Sequence, residues 1–251
     1  MNNRVVVTGA AGTIGSVMRP GLAGQAGVLR LMDTAPLEAG PGEEVVRGDI
    51  RNLEDARRAL AGCEAVVHLA AIAQEAEFEE ILDTNIRGTF NVFEAARLEG
   101  CRRVVFASSN HAIGFYPVGE TIGVEVPVRP DTYYGVSKVF GESLGSLYHD
   151  RHGLEVVCLR IGAFLPEPER PRHLSIWLSH RDAVQLVRRS LAAPDVGFLT
   201  VYGTSDNRRS WWRRDGWDRL GYAPQDQADT FAQRTGERMP YRFQGGEMAE
   251  P

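Results

Sequence analysis

The chain has 251 residues, 43% of them hydrophobic and 24% charged, with a formal net charge of −5. That balance suits one large globular core, and the lack of a basic run argues against a nucleic-acid partner. No apolar run approaches membrane-spanning length, the N-terminus enters a strand without a signal peptide, and Cys63, Cys101 and Cys158 follow neither a metal-ligand nor a disulfide spacing. A cytoplasmic protein with no metal is the expectation.

Arg4-Val-Val-Val-Thr8 is a short β-branched run and reads as a buried parallel strand. Gly9-Ala-Ala-Gly12-Thr13-Ile14-Gly15 follows, then an apolar-periodic segment to about Leu22. Strand, glycine turn and helix in that order describe a dinucleotide site. Gly9 and Gly12 let the backbone approach a pyrophosphate, Gly15 lets helix and strand pack closely, and the first helical N–H groups of Thr13 and Ile14 face the phosphates. The spacing is G-x-x-G-x-x-G rather than the commoner G-x-G-x-x-G.

A second strand, Val28–Met32, ends at Asp33. A carboxylate there accepts hydrogen bonds from the adenosine ribose diol and repels a 2′-phosphate, which favours NAD over NADP. The competing reading is an aspartate that opens the Asp33–Pro36 turn. Glu44–Arg47 reads as a strand leading to Gly48-Asp49-Ile50, where Asp49 and the Ile50 backbone can meet the adenine. Leu53–Leu60 reads as a helix and Ala65–Leu69 as a strand, with the small Ala70 and Ala71 leaving room for cofactor beyond Leu69. Phe78–Leu98 is helical in period and carries Asn85; Arg103–Ala107 is a strand that delivers Ser108 and Ser109. Adjacent strand residues point to opposite faces, so Ser109 is the functional candidate and Ser108 the structural one.

Tyr134-Gly-Val-Ser-Lys138 lies on the next helix, capped by Asp131 or Thr132 and running to about Asp150. Its tyrosine and lysine share one helix face. An unperturbed phenol titrates near about 10, and a neighbouring ammonium is expected to lower that value. The pair can exchange a proton with an alcohol whose oxygen Ser109 holds. Strands over Leu154–Arg160 and Phe198–Tyr202 enclose a helix at Leu178–Leu191. The rhythm predicts an α/β fold, a Rossmann-type doubly wound parallel sheet in a single domain over residues 1–251. Asp33, Ala70 and Ser109 then share the carboxyl edge of the sheet, where ligands bind. Beyond Thr204 a helical cap ending in a loose Glu247–Pro251 tail is expected.

Thr8–Gly15, Gly48-Asp49, His68-Leu-Ala-Ala71, Ser109 and Tyr134-Gly-Val-Ser-Lys138 resemble the extended short-chain dehydrogenase/reductase superfamily over roughly residues 4–205. Phe106-Ala-Ser-Ser-Asn-His111, Arg160-Ile161-Gly162, Pro166-Glu-Pro168, Arg172, Trp211-Trp212 and Arg242-Phe-Gln-Gly-Gly246 resemble the uronate dehydrogenases within it. The resemblance implies NAD-dependent oxidation of ring-form D-galacturonate or D-glucuronate to an aldaro-lactone. It casts Ser109, Tyr134 and Lys138 as the catalytic set, and Arg172, with Asn110 and His111, as contacts to the sugar acid. It puts Asn85 and Ile161 at the cofactor, with capping segments near 110–131, 162–180 and 204–251, and a homo-oligomer.

The family has serines where this chain has Ala73 and Ala163. Each missing hydroxyl removes about 0.5–1.5 kcal/mol of possible substrate bonding, which Gln74 can partly restore. Arg172 could instead be a solvated loop charge, and His111 could simply close the turn after its strand. A sugar-nucleotide epimerase or dehydratase with retained NAD is the rival activity. It would need a larger pocket than the roughly 90 residues after Arg160 provide. A non-catalytic NAD-binding protein is the rival from another class.

Overall fold

The computed structural model describes residues 4–236 and 238–250. In chain order the first half runs β1 (Arg4–Thr8), α1 (Thr13–Leu22), β2 (Val28–Asp33), β3 (Glu43–Arg47), α2 (Leu53–Leu60), β4 (Ala65–His68), α3 (Phe78–Ile81), α4 (Gly88–Leu98) and β5 (Arg103–Ser109). The second half runs α5 (Tyr133–His152), β6 (Glu155–Ile161), β7 (Ala163–Phe164), α6 (His173–Ile176), β8 (Trp177–Leu178), α7 (His180–Ala192), β9 (Phe198–Gly203), α8 (Trp217–Leu220) and α9 (Ala232–Thr235). Among the described residues seven strands form one sheet in the order β3-β2-β1-β4-β5-β6-β9, every pair parallel.

The strands read as apolar runs because both faces are covered. On one face α1 and α7 pack Met18, Leu22, Leu186 and Val187 against Val5, Val7 and Leu31. On the other, α2, α4 and α5 pack Leu60, Phe93 and Leu144 against Val6, Val66 and Phe106. The order reverses between β1 and β4, and the crevice for a ligand opens at that switch point. This is the doubly wound Rossmann-type fold expected from the alternating pattern.

The expected single helix from Phe78 to Leu98 is interrupted by a π-helical turn over Leu82–Arg87, which carries Asn85. Such turns rotate one residue out of the helical register. The chain beyond Thr204 also differs from expectation. Instead of a helical cap it is mostly irregular, with four-residue α8 and α9 and short 3₁₀ turns at Ala228–Phe231 and Gly246–Ala249. It is held by single bridges, Ile122 to Trp212 and Pro117 to Phe243. Nor is Glu247–Glu250 loose: Ala249 is buried, and the Glu250 carboxylate accepts the Arg242 backbone N–H at 2.7 Å. Pro251 lies outside the described residues. Among the described residues no helix is long and apolar enough to cross a membrane.

Candidate active site

The nucleotide crevice starts at the turn after β1. Gly9 has φ +71°, and a Cβ there would lie 2.7 Å from the Ala70 backbone nitrogen; one on Gly15 would lie 2.3 Å from the Gly9 carbonyl oxygen. Only glycine fits where β1, β4 and α1 converge this closely. Gly12 caps α1 with no side-chain bond, so the N–H groups at Thr13 and Ile14 have no side-chain acceptor from the cap. Asp33 closes the far side: its Oδ2 accepts the Ala11 N–H at 2.9 Å and its Oδ1 the Ala35 N–H at 3.0 Å. The cofactor reading and the turn reading of Asp33 are therefore geometrically compatible. The crevice holds about 530 Å3 and is lined by Gly9, Gly12, Asp33, Asp49, Ile50, Leu69, Ala70 and Ala71. Its base is fixed by a buried chain: the Ala70 N–H donates to the Thr8 hydroxyl at 3.3 Å, and His68 lies between Thr8 and Thr89. Burial, then the Lys138 charge, push His68 down to about 3, so it is neutral.

Where the crevice ends, Asn85 ties the loop after β4 to α5. Its Oδ1 accepts the Ile72 N–H at 2.8 Å, and its Nδ2 donates to the Ile72 carbonyl at 2.9 Å and the Ser137 hydroxyl at 3.1 Å. Both amide hydrogens are thus engaged inside the protein. Ala73 and Gln74, on the same loop, are exposed.

Beyond this junction stand Ser109, Tyr134 and Lys138. Ser108 and Ser109 alternate across β5, and Ser108 turns away to donate to Glu142 at 2.6 Å. Glu142 also receives two bonds from Arg160 at 2.9 and 2.8 Å, so its buried charge is paired. Thr132 caps α5 by accepting the Gly135 N–H at 2.8 Å. The Glu75 carboxylate accepts the Tyr133 and Tyr134 N–H groups at 3.1 Å each. Tyr134 and Lys138 are both buried. Burial pushes the phenol up to about 12, and a hydrogen bond from Ser109 works against that rise. Burial alone pushes Lys138 down to about 7. This corrects the expectation that the ammonium acidifies the phenol directly. Nζ sits over the Tyr134 ring, 5.3 Å from its centroid, and Ser109 is the group that stabilises the phenolate in the protein as it stands.

On the other side of Tyr134 is a second cavity of about 240 Å3, walled by His111, Arg170, Arg172, His173, Tyr241 and Gly245. Arg172 is not a solvated loop charge. Burial lowers its guanidinium to about 10, while the Asp131 carboxylate opposes that fall. Its Nε donates to the Gln244 carbonyl at 2.9 Å. With the Asn110 amide oriented to satisfy both neighbours, its oxygen accepts Arg172 Nη2 at 2.9 Å and its nitrogen donates to the Ile161 carbonyl at 3.2 Å. His111 meets Tyr134 edge-on at 5.9 Å, and its Nδ1 lies 2.9 Å from both oxygens of the fully buried Asp131. His111 and Arg172 thus share this cavity, with Asn110 bonded to Arg172, Tyr134 against the His111 ring and Ser109 bonded to Tyr134.

Residues 5–212 match the NAD dependent epimerase/dehydratase family. The chain belongs to that family. A uronate dehydrogenase of Pseudomonas putida is 48% identical over 91% of this chain and 86% of its own length. A crystal structure of a uronate dehydrogenase mutant from Agrobacterium tumefaciens complexed with NAD superposes with a TM-score of 0.94 at 45% identity, covering 99% of this chain and 98% of that one. A glucuronic acid dehydrogenase structure from Chromohalobacter salexigens gives 0.95 at 41% identity, with 99% and 97% covered. These relatives place the chain with the uronate dehydrogenases of the family.

Three residues of this family member escape a reading of the sequence. Glu75 caps α5 from a distant loop. Asp131, a candidate cap by position, instead holds His111 while Thr132 caps. Gln244 holds Arg172 from the C-terminal segment. Asp131 carries a capping signal that points to a different role, Gln244 lies in the Arg242–Gly246 stretch that carries the family resemblance, and Glu75 carries no signal.

Proposed function

We propose that this protein oxidises a uronic acid, D-galacturonate or D-glucuronate in ring form, at C1 to the aldaro-lactone with NAD. The observation that supports the reading is Arg172, partly buried and braced by Asn110 and Gln244 at the cavity it shares with His111, whose ring packs on Tyr134. A guanidinium so fixed suits a carboxylate, which it can grip with paired bonds. The crevice fits the cofactor. Its glycine turn would clash with any Cβ, its helix N-terminus has no side-chain cap, and its far end carries a carboxylate for the ribose.

NAD, when bound there, supplies the acceptor for the C1 hydride. Gly9, Gly12, Thr13, Ile14 and Gly15 hold the pyrophosphate, Asp33 the adenosine ribose, and Asp49 and Ile50 the adenine. Leu69, Ala70 and Ala71 floor the crevice, and Ile161 borders the nicotinamide end. Asn85 serves that end as a positioning residue. Tyr134 accepts the proton of the anomeric hydroxyl as Ser109 holds its oxygen, leaving the C1–O bond free to become the lactone carbonyl. Lys138, over the Tyr134 ring, is placed to bond the nicotinamide ribose. Arg172, Asn110 and His111 hold the carboxylate end, with Ala73 and Gln74 at the rim. Segments 110–131, 162–180 and the chain from 204 onward form the substrate cap.

The same reading includes a homo-oligomer in the cytoplasm. Phe78, Phe90, Tyr133, Val136 and Leu147 expose large apolar side chains on α3, α4 and α5, which supports association through those helices. Three buried unpaired cysteines suit a reducing compartment. The decisive assay follows NADH formation with galacturonate, glucuronate, neutral aldoses and UDP-glucose. Turnover confined to the uronates is expected. Turnover of UDP-glucose alone, or of nothing, overturns the reading.

A further inference from the structure

We propose that the turn Gln244-Gly245-Gly246 determines selectivity for the acid end of the substrate, by fixing Arg172 and His111 in one rigid frame. The inference rests on the uronate reading above and extends it to residues that never touch the sugar.

Gln244 is fully buried, and each of its polar atoms has a partner. Its side-chain nitrogen donates to the Pro117 and Glu120 carbonyls at 3.0 and 2.8 Å, and its side-chain oxygen accepts the Trp212 indole N–H at 2.7 Å. Its backbone N–H donates to Tyr116 at 2.8 Å, which leaves its carbonyl to accept Arg172 Nε at 2.9 Å. Trp212 in turn stacks on Tyr202 of β9, with centroids 4.8 Å apart and planes 14° apart. Arg172 is therefore referenced through Gln244 to the sheet itself. A fully satisfied buried amide resists displacement, because any movement leaves a polar atom unpaired.

The two glycines set the other side of the frame. Gly246 has φ +73°, and a Cβ on it would lie 2.7 Å from Arg172 Nε. The guanidinium therefore lies against bare backbone. A Cβ on Gly245 would lie 1.8 Å from Asp131 Oδ2, and one on Gly114, across the same carboxylate, 1.9 Å. Gly245 N–H donates to the Gly114 carbonyl at 2.8 Å and closes that grip. Asp131, so held, engages His111 Nδ1 and leaves Nε2 as the ring nitrogen available to a ligand. One turn thus meets both side chains assigned to the carboxylate, Arg172 directly and His111 through Asp131.

The test compares the wild type with Gln244→Met, Gly246→Ala and the isosteric Asp131→Asn. A loosened frame should raise KM for galacturonate at least about tenfold, while kcat and the Kd for NAD stay within about twofold. Should Gly246→Ala fail to fold, the other two variants carry the comparison. Unchanged KM overturns the proposal, as does a parallel loss of kcat and NAD binding, which would mark a general packing role. A wild type inactive on every uronate overturns the functional reading instead, so the two failures are distinguishable.

Discussion

The Lys138 ammonium faces two aromatic rings, 5.1 Å from the Phe106 centroid and 5.3 Å from that of Tyr134. Ring faces attract a cation but replace only part of its hydration. Lys138 is therefore a strained charge in the free protein, kept for function. We predict that Lys138→Met stabilises the free enzyme while lowering turnover on the order of a hundredfold or more. The pH dependence follows from a native value of about 7 against the ordinary lysine value of 10.5. Between those limits the unfolded chain binds one more proton than the native one, so wild-type stability rises with pH across the window. The advantage of the variant is full below pH 7 and fades as pH climbs toward the upper limit. Thermal melts at several pH values test this; a variant less stable than wild type at low pH would refute it.

Ser109 is the group that opposes the burial of the Tyr134 phenol, which stands at about 12. Removing its hydroxyl raises that value further and lowers the phenolate fraction at any given pH. Ser109→Ala should therefore shift the rising limb of the kcat/KM profile to higher pH and reduce kcat/KM near neutrality about 10²-fold. A reduced rate with an unmoved profile would assign Ser109 to holding the sugar oxygen alone.

Asp33 is anchored at both oxygens by Ala11 and Ala35, so its position does not depend on a bound nucleotide. A fixed carboxylate at the strand end repels a 2′-phosphate. In Asp33→Ser, kcat/KM with NAD should fall about tenfold, and the preference for NAD over NADP should narrow by more than that. Steady-state rates with both coenzymes decide it; a preference left intact would move discrimination elsewhere in the crevice.

What could be read from the sequence was local. The turn from Gly9 to Gly15 and the helical spacing of Tyr134 and Lys138 are short-range patterns with one physical solution each. Strand alternation likewise separates Ser109 from Ser108, whose hydroxyl goes to Glu142. The missed contacts join distant segments: Glu75 to Tyr134, Gln244 to Arg172, Trp212 to Tyr202. Polar loop residues carry no hydrophobic period, so their partners cannot be inferred from spacing. The phenol's environment is not legible in the sequence for a related reason. Helical spacing puts Lys138 on the face of Tyr134, but burial, which depends on the whole fold, outweighs that proximity.

Glu75 supplies the last test. Its two oxygens accept the Tyr133 and Tyr134 N–H groups, so one carboxylate from the loop after β4 caps the first turn of α5, which carries the proposed catalytic tyrosine. A negative group there also opposes the positive end of the helix dipole. Glu75→Gln keeps the shape but removes the charge and one acceptor. A cap of this kind is worth about 1 kcal/mol, which for a domain of this size lowers Tm by about 2–4 °C. Because Tyr134 occupies the capped turn, kcat should also fall several-fold, with KM for NAD unchanged. Adding salt should narrow the gap in Tm, since the lost interaction is partly exposed. A variant matching wild type in both Tm and kcat would show that Thr132 alone, through its bond to the Gly135 N–H, is enough to seat the helix.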